Sequence, residues 1–260
     1  MPVSIPTRRK LLRDIKPGNC VEPHAGLWLD KFIEEQQREN KEARRDLVNE
    51  VAEISTESYQ NFYERWKMNL DLLKTTGYAL ALRKAKVEGR MVLGTANESV
   101  LETAVTLHRT YGVPYIPGSA LKGLSANFAR HHSGQDWNRE SNNYRIVFGN
   151  TAESGCVVFF DALYIFEPGA SSLRADVLTS HHHAYYAGKK NDDKLQPPAD
   201  WDNPNPVHFL AATGSYLIAL AASAGGDEWL NAAMYILENA LKHQGIGAKT
   251  SSGYGRMTLS

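Results

Sequence analysis

The tightest constraint on this chain lies near its end. Between Gly245 and Arg256, four glycines (Gly245, Gly247, Gly253, Gly255), three aliphatic hydroxyls (Thr250, Ser251, Ser252) and two cations (Lys249, Arg256) fall within twelve residues, and no carboxylate occurs from Leu241 to Ser260. Glycine at that density admits backbone conformations closed to other residues and leaves N–H groups free to converge, so the stretch reads as a loop that meets an anion. Tyr254, Arg256, Met257 and Leu259 are interspersed with small or polar residues, which predicts a short final strand after the loop.

A polyphosphate is the first anion to consider, but the nucleotide motifs fit badly. Ala248 precedes Lys249-Thr250 where a Walker loop needs glycine, and the residues after it are too few for the helix such a loop feeds. Thr250 stands where a dinucleotide loop needs its third glycine. A flexible Gly/Ser tail is the bland alternative, and the alternation that follows argues against it.

The chain has 260 residues, enough for one large domain or two small ones. Lys plus Arg and Asp plus Glu both number 29, so no global field draws in nucleic acid, and any such surface is local or shared with partners. No run of about 18 apolar residues marks a membrane span. The basic N-terminal segment lacks the apolar core of a signal, so a cytoplasmic protein is expected. Two isolated cysteines, Cys20 and Cys156, are too few for a zinc site or a disulfide framework, and neither a metal nor a cofactor is expected.

Residues 1–22 read as a basic arm carrying Arg8, Arg9, Lys10, Arg13 and Lys16, and residues 23–260 as a single domain. Spacings of three and four (Leu47, Val51, Ile54; then Tyr59, Phe62, Tyr63, Trp66, Leu70, Leu73) predict a helical segment over 30–76. Ala79 to Val87 starts extended, with Arg83, Lys84, Lys86 and Arg90 as backbone-tracking cations or as solvated strand-edge charges. Thr103 to Arg109 alternates and reads as a strand. Pro117-Gly118 forces a turn, Ser119 suits an N-cap, and Leu121, Leu124 and Phe128 form a helical face. Lys122 in that helix's first turn opposes the helix dipole unless an anion sits there. Cys156 to Ala162 reads as a buried strand, and Gly188 to Pro206 as a loop. Further strand signals bracket a turn at Thr213-Gly214, and a final helix runs from Glu228 to His243. His181-His182-His183 cannot converge on one ion from regular structure, so stacking or loop packing is the better reading.

Taken together, Ile116-Pro117-Gly118-Ser119-Ala120-Leu121-Lys122-Gly123, Phe148-Gly149 with Ser154-Gly155, the strand ending Phe160-Asp161-Ala162 and the terminal glycine loop resemble the RAMP superfamily of CRISPR effector proteins, in the same order. Ala25 to Phe32, Tyr111 to Pro117, and Asp176-Val177 followed by His183 and Tyr185-Tyr186 are similar to the subunit-six branch of the type III-B, or Cmr, effector complex. The likeness spans roughly His24 to Met257; Ala120 departs from it, standing where a second serine is common.

This resemblance implies an α+β fold with a ferredoxin-like, RRM-related core, a helical N-terminal extension and insertions. It also implies a non-catalytic subunit of an RNA-guided antiviral ribonucleoprotein, which binds CRISPR guide RNA by its backbone and helps position target RNA. Other RAMP subunits and the small helical subunit of the complex are the expected protein partners, with no membrane. The expected RNA contacts are Arg83, Lys84, Ser119, Lys122, Gly245, Gly247, Lys249, Thr250, Ser251, Ser252, Gly253, Gly255 and Arg256. The terminal loop and the Pro117–Gly123 turn are expected to form two halves of one grip. The alternative is a metal-independent endonuclease that processes CRISPR repeat RNA, with His24 or one of His181 to His183 as general base and Lys249 stabilising the charged transition state.

Overall fold

The computed structural model describes residues 15–20, 23–33, 41–54, 57–95, 99–101, 103–188, 190–191, 194–195 and 197–260. Most of the expected basic arm lies outside them. The helical segment is three helices: α1 (Ala25–Lys31), α2 (Lys41–Ala52) and α3 (Tyr59–Thr75). Helix α1 begins before the predicted start at Asp30, because His24 caps it: Nδ1 accepts from the Leu27 N–H at 3.0 Å.

The remaining elements build the core: β1 (Ala79–Val87), β2 (Tyr115–Ile116), α4 (Gly118–His132), α5 (Asn142–Phe148), β3 (Val157–Phe159), β4 (Ala162–Tyr164), β5 (Leu173–Ser180), α6 (His183–Tyr186), β6 (Lys190–Asn191), β7 (Lys194–Leu195), β8 (Asn205–Ala212), β9 (Ser215–Ala222), α7 (Asp227–His243) and β10 (Met257–Leu259). The main sheet runs in the order β10-β1-β9-β4-β2, with β3 also against β9, and all pairings are antiparallel. Following the chain through β1, α4, β3/β4, β9, α7 and β10 gives the split βαβ connectivity of a ferredoxin-like core. The fold is α+β.

Strand β9 sits in the middle, and every residue from Ser215 to Ala222 is buried, as its continuous apolar sequence requires of a strand covered on both faces. Helix α7 buries Leu230, Ala233, Leu237 and Leu241 against β1, β9 and β10, and α4 packs alongside it. Helix α3 lies on β1. A second hydrophobic cluster forms where α1 and α2 pack on the long β5–β8 hairpin, joining Trp28, Leu47, Val51 and Leu210.

Two local expectations are corrected, and one strand pairing departs from sequence adjacency. Thr103–Arg109 forms no strand: its alternation finds only an isolated bridge, Leu107 to Pro114, within a turn closed by the His108 N–H on the Val113 carbonyl at 2.7 Å. Strand β8, though next to β9 in sequence, pairs with β5 instead. The strand expected at Cys156–Ala162 is interrupted. Between the pairs Phe159–Leu220 and Leu163–Leu217 lie three residues on one side and two on the other, so Phe160-Asp161 forms a β-bulge.

Candidate nucleic-acid interface

The terminal loop connects α7 to β10 and is tied down from within. Ile246 N–H donates to Gly255 O, Ala248 N–H to Val92 O, and Gly255 N–H to Arg90 O, all at 2.8 Å. These bonds press the loop onto the strand-edge segment 90–92. A Cβ on Gly247 would enter the Val92 carbonyl, and one on Gly255 would enter that of Ile246; both residues also have positive φ. Internal packing therefore accounts for these two glycines, and Gly245 and Gly255 are buried.

The tip is different. Lys249 adopts the left-handed conformation, φ 61° and ψ 29°, and leads into a 3-10 turn over Thr250–Ser252. A left-handed residue followed by a helical turn aims successive N–H groups into one concavity. The N–H groups of Lys249, Thr250 and Ser251, and the three hydroxyls of Thr250, Ser251 and Ser252, have no hydrogen-bond partner among the described residues. Ser251, Ser252, Gly253 and Arg256 are exposed.

Behind the tip, one carboxylate anchors the loop to the hairpin. Asp176 on β5 accepts from the Tyr254 hydroxyl at 2.7 Å and the Val177 N–H at 2.8 Å, and pairs with Arg90 at 2.5 Å. Burial opposes the Asp176 charge, but these partners outweigh it and hold the carboxyl below the usual range. The Tyr254 phenol is pushed up to about 12, by burial first and by the bond to Asp176 second.

The Pro117–Gly123 turn lies elsewhere. Gly118 is the first residue of α4, and its N–H donates to Asp161 Oδ1 at 2.7 Å. The bulge thus aims an internal carboxylate at the helix N-terminus, where the opposition of Lys122 to the dipole had called for an anion. The approach is close enough that a Cβ at 118 would collide with the Phe159 carbonyl. Exposed Ser119 and half-buried Lys122 line a groove of about 490 Å³ with the 150–155 turn and β3.

No residue of the terminal loop lines that groove. Phe159 lies across β9 from Ala81, whereas Arg256 bonds to Glu88 on the far side of β1's end. Those seven strand residues span about 23 Å. The two elements are separate contact surfaces, not the walls of one concavity.

The β1 cations divide as well. Arg83 faces the Ile218 side of the sheet and Lys84 the Leu217 side, both exposed. Arg83 Nη1 donates to the Leu82 carbonyl, and Lys84 is paired with Glu167 at 3.2 Å.

Two of the histidines considered for acid–base chemistry, His24 and His182, are otherwise engaged. His24 has Nδ1 accepting from Leu27 and Nε2 on the Arg109 carbonyl at 3.0 Å, an arrangement that fixes the neutral Nε2–H tautomer. His182, at φ 57°, contacts Asp202 at 2.9 Å. No group of metal-binding side chains occurs among the described residues, and no helix among them is long and apolar enough to cross a membrane.

The RAMP superfamily model matches residues 84–258, from β1 through β10, and a Cmr6 subunit of the CRISPR Cmr system in Pyrococcus furiosus is 30% identical over 77% of this chain and 73% of its own. The chain belongs to the RAMP superfamily, in its Cmr6 family. A second relative, the Cmr6 subunit of Saccharolobus solfataricus, is 23% identical over 88% of this chain and 74% of that one. Among solved structures, a chain of the type III-B Cmr-beta complex bound to cognate target RNA is similar with a TM-score of 0.64, at 20% identity over 84% of this chain and 71% of that chain, a likeness of fold. The match begins at Lys84, inside β1, so α1 to α3 precede the part that the superfamily model describes.

Proposed function

We propose that this RAMP protein is a subunit of a type III-B CRISPR effector and that it grips RNA by the backbone through its terminal loop without cutting it. The N–H groups of Lys249–Ser251 and the hydroxyls of Thr250–Ser252, which have no partner among the described residues and lie on a carboxylate-free segment with the cations Lys249 and Arg256, carry this reading. Backbone amides and small hydroxyls read phosphate and leave base identity unread. Guide RNA is the ligand the family suggests, target RNA a second, and neighbouring RAMP subunits with the small helical subunit the proteins beside it. A chain of zero net charge suits a groove completed by neighbours. Ser119 and Lys122 form a second, independent contact, and Arg83 supplies exposed positive charge from the sheet. The engagement of both His24 nitrogens supports binding over the endonuclease alternative.

The test is RNA affinity of the assembled complex across a salt series. Lys249→Ala should weaken binding and flatten the slope of log K against log salt by about 0.7, the loss of one single-strand phosphate contact. Lys122→Ala should do the same independently. Unchanged affinity and slope in both variants would sink the assignment.

A further inference from the structure

Helix α1 and the 104–109 segment enclose a cavity of about 460 Å³ that the terminal loop does not reach. Its size falls within the range of small-ligand sites. Buried Leu29 and Ala104 lie at its floor, and Leu27, a leucine left 55% exposed, stands at its rim. The walls are stapled together: His24 caps α1 with one nitrogen and holds the Arg109 carbonyl with the other, and Gly112 N–H closes on the His108 carbonyl at 2.8 Å.

The polar groups facing this space are complementary in kind and unspent. Asp30 and Arg109 line the same cavity, both exposed, and neither has an ion-pair partner among the described residues. His108 accepts from the Thr110 N–H at Nδ1, which leaves Nε2 as a donor with no partner among the described residues, beside half-buried Tyr115. Burial, the larger influence, together with His24 lowers the His108 pKa against an opposing pull from Asp161, so the ring is neutral near pH 7. The cavity therefore offers a carboxylate acceptor, a ring N–H donor, a guanidinium, and apolar and aromatic surface for a flat ring.

We infer that this cavity is a subsite for one unpaired guanine nucleotide, with Asp30 receiving the N1–H and 2-amino protons, His108 Nε2–H meeting the acceptor edge, and Arg109 meeting the phosphate. Guanine is the base whose pairing edge places two N–H donors side by side, which is what a carboxylate accepts in bidentate fashion. Leu27 and Tyr115 cover the ring faces, as apolar and aromatic side chains do for splayed bases. The inference rests on the RNA-binding reading only for the source of the nucleotide, and adds base preference to a grip that has none.

The experiment titrates the full chain with 5′-GMP, AMP, CMP and UMP by calorimetry, and in parallel with U-rich oligonucleotides that carry or lack one central guanine. GMP, or the guanine-bearing strand, should bind about tenfold more tightly than its competitors. Asp30→Asn should erase that preference, and Lys249→Ala should preserve it while weakening every oligonucleotide alike. Preference seen with GMP points to a free nucleotide as ligand; preference seen only with the oligonucleotide points to a base presented by RNA. Asp30 is exposed in the last turn of α1, and a thermal melt establishes that the variant is folded. Equal binding of all four nucleotides and both strands, or a guanine preference intact in Asp30→Asn, overturns the inference, and neither result bears on the terminal loop.

Discussion

Asp176→Asn tests how the terminal loop is held. The native carboxylate is 12% exposed and serves Arg90, Tyr254 and the Val177 N–H together. Hydrogen bonds to a charged group contribute about 1.5–3 kcal/mol each. An asparagine keeps one oxygen for Val177 or Tyr254 but loses the attraction to Arg90. Arg90 is 42% exposed, so water recovers much of that guanidinium and the ion-pair share is discounted accordingly. The net loss should be about 2 kcal/mol, or a fall in Tm of about 4–8 °C for a chain of this size. The pH dependence has a fixed sign. A carboxyl held below its unfolded value of about 3.9 stabilises the fold above that pH and stops doing so as pH falls through its folded value. The difference in Tm between native and variant should therefore be full at pH 7 and should shrink on acidification below about pH 4. Tyr254 gives a second readout at the other end: its phenol, raised to about 12, should titrate lower once Asp176 is uncharged, measured as ultraviolet phenolate absorbance relative to Tyr254→Phe. An unchanged Tm together with an unchanged Tyr254 titration would refute the anchoring role.

Two further substitutions separate stability from binding. Lys249 holds a left-handed conformation that costs a residue with a Cβ about 1 kcal/mol; Lys249→Gly should raise the urea midpoint while lowering RNA affinity, and a variant that loses stability would show that the strain is compensated locally. His24→Ala removes the α1 cap and frees the Arg109 carbonyl. It should cost about 1–2 kcal/mol in a thermal melt and, by releasing the wall that carries Arg109, weaken the guanine preference while leaving the salt slope set by the terminal loop unchanged; loss of an RNA-cleaving activity at unchanged Tm would return His24 to a chemical role.

Elements governed by a single periodicity were readable from the sequence. The helical face of α7, the apolar run of β9 and the start of β1 at Ala79 each declare themselves within ten or so residues, and the motifs around Gly118 and Gly247 carried the family. What the sequence hid is what depends on a distant partner. Alternation in Thr103–Arg109 promised a strand, but no neighbouring strand edge reaches it. The one-residue mismatch that bulges Phe160-Asp161 exists only relative to β9. Tyr254 and Asp176 lie 78 residues apart, and nothing local marks them as a pair. His24 before Ala25-Gly26 could have been read as a cap, since a side-chain acceptor at the start of an apolar helical patch is the usual signal, although histidine is a rare choice for it. The terminal glycines were legible as a loop but not by cause: Gly247 and Gly255 answer to the carbonyls of Val92 and Ile246.

The Asp161 bond changes what the α4 N-terminus can do. A free helix N-terminus draws an external anion through its N–H groups and its dipole together. Here the Gly118 N–H is already committed to a carboxylate supplied by the β3–β4 bulge, so a phosphate arriving at Ser119 and Lys122 meets a neighbouring negative charge. Lys122, the fifth residue of α4, stands past the first turn and so beyond the strongest part of the dipole. The terminal loop has no such carboxylate at its tip, because Asp176 is turned inward on Arg90 and Tyr254. Of the two anion-facing elements, the loop should therefore contribute the larger share of RNA affinity and of its salt dependence.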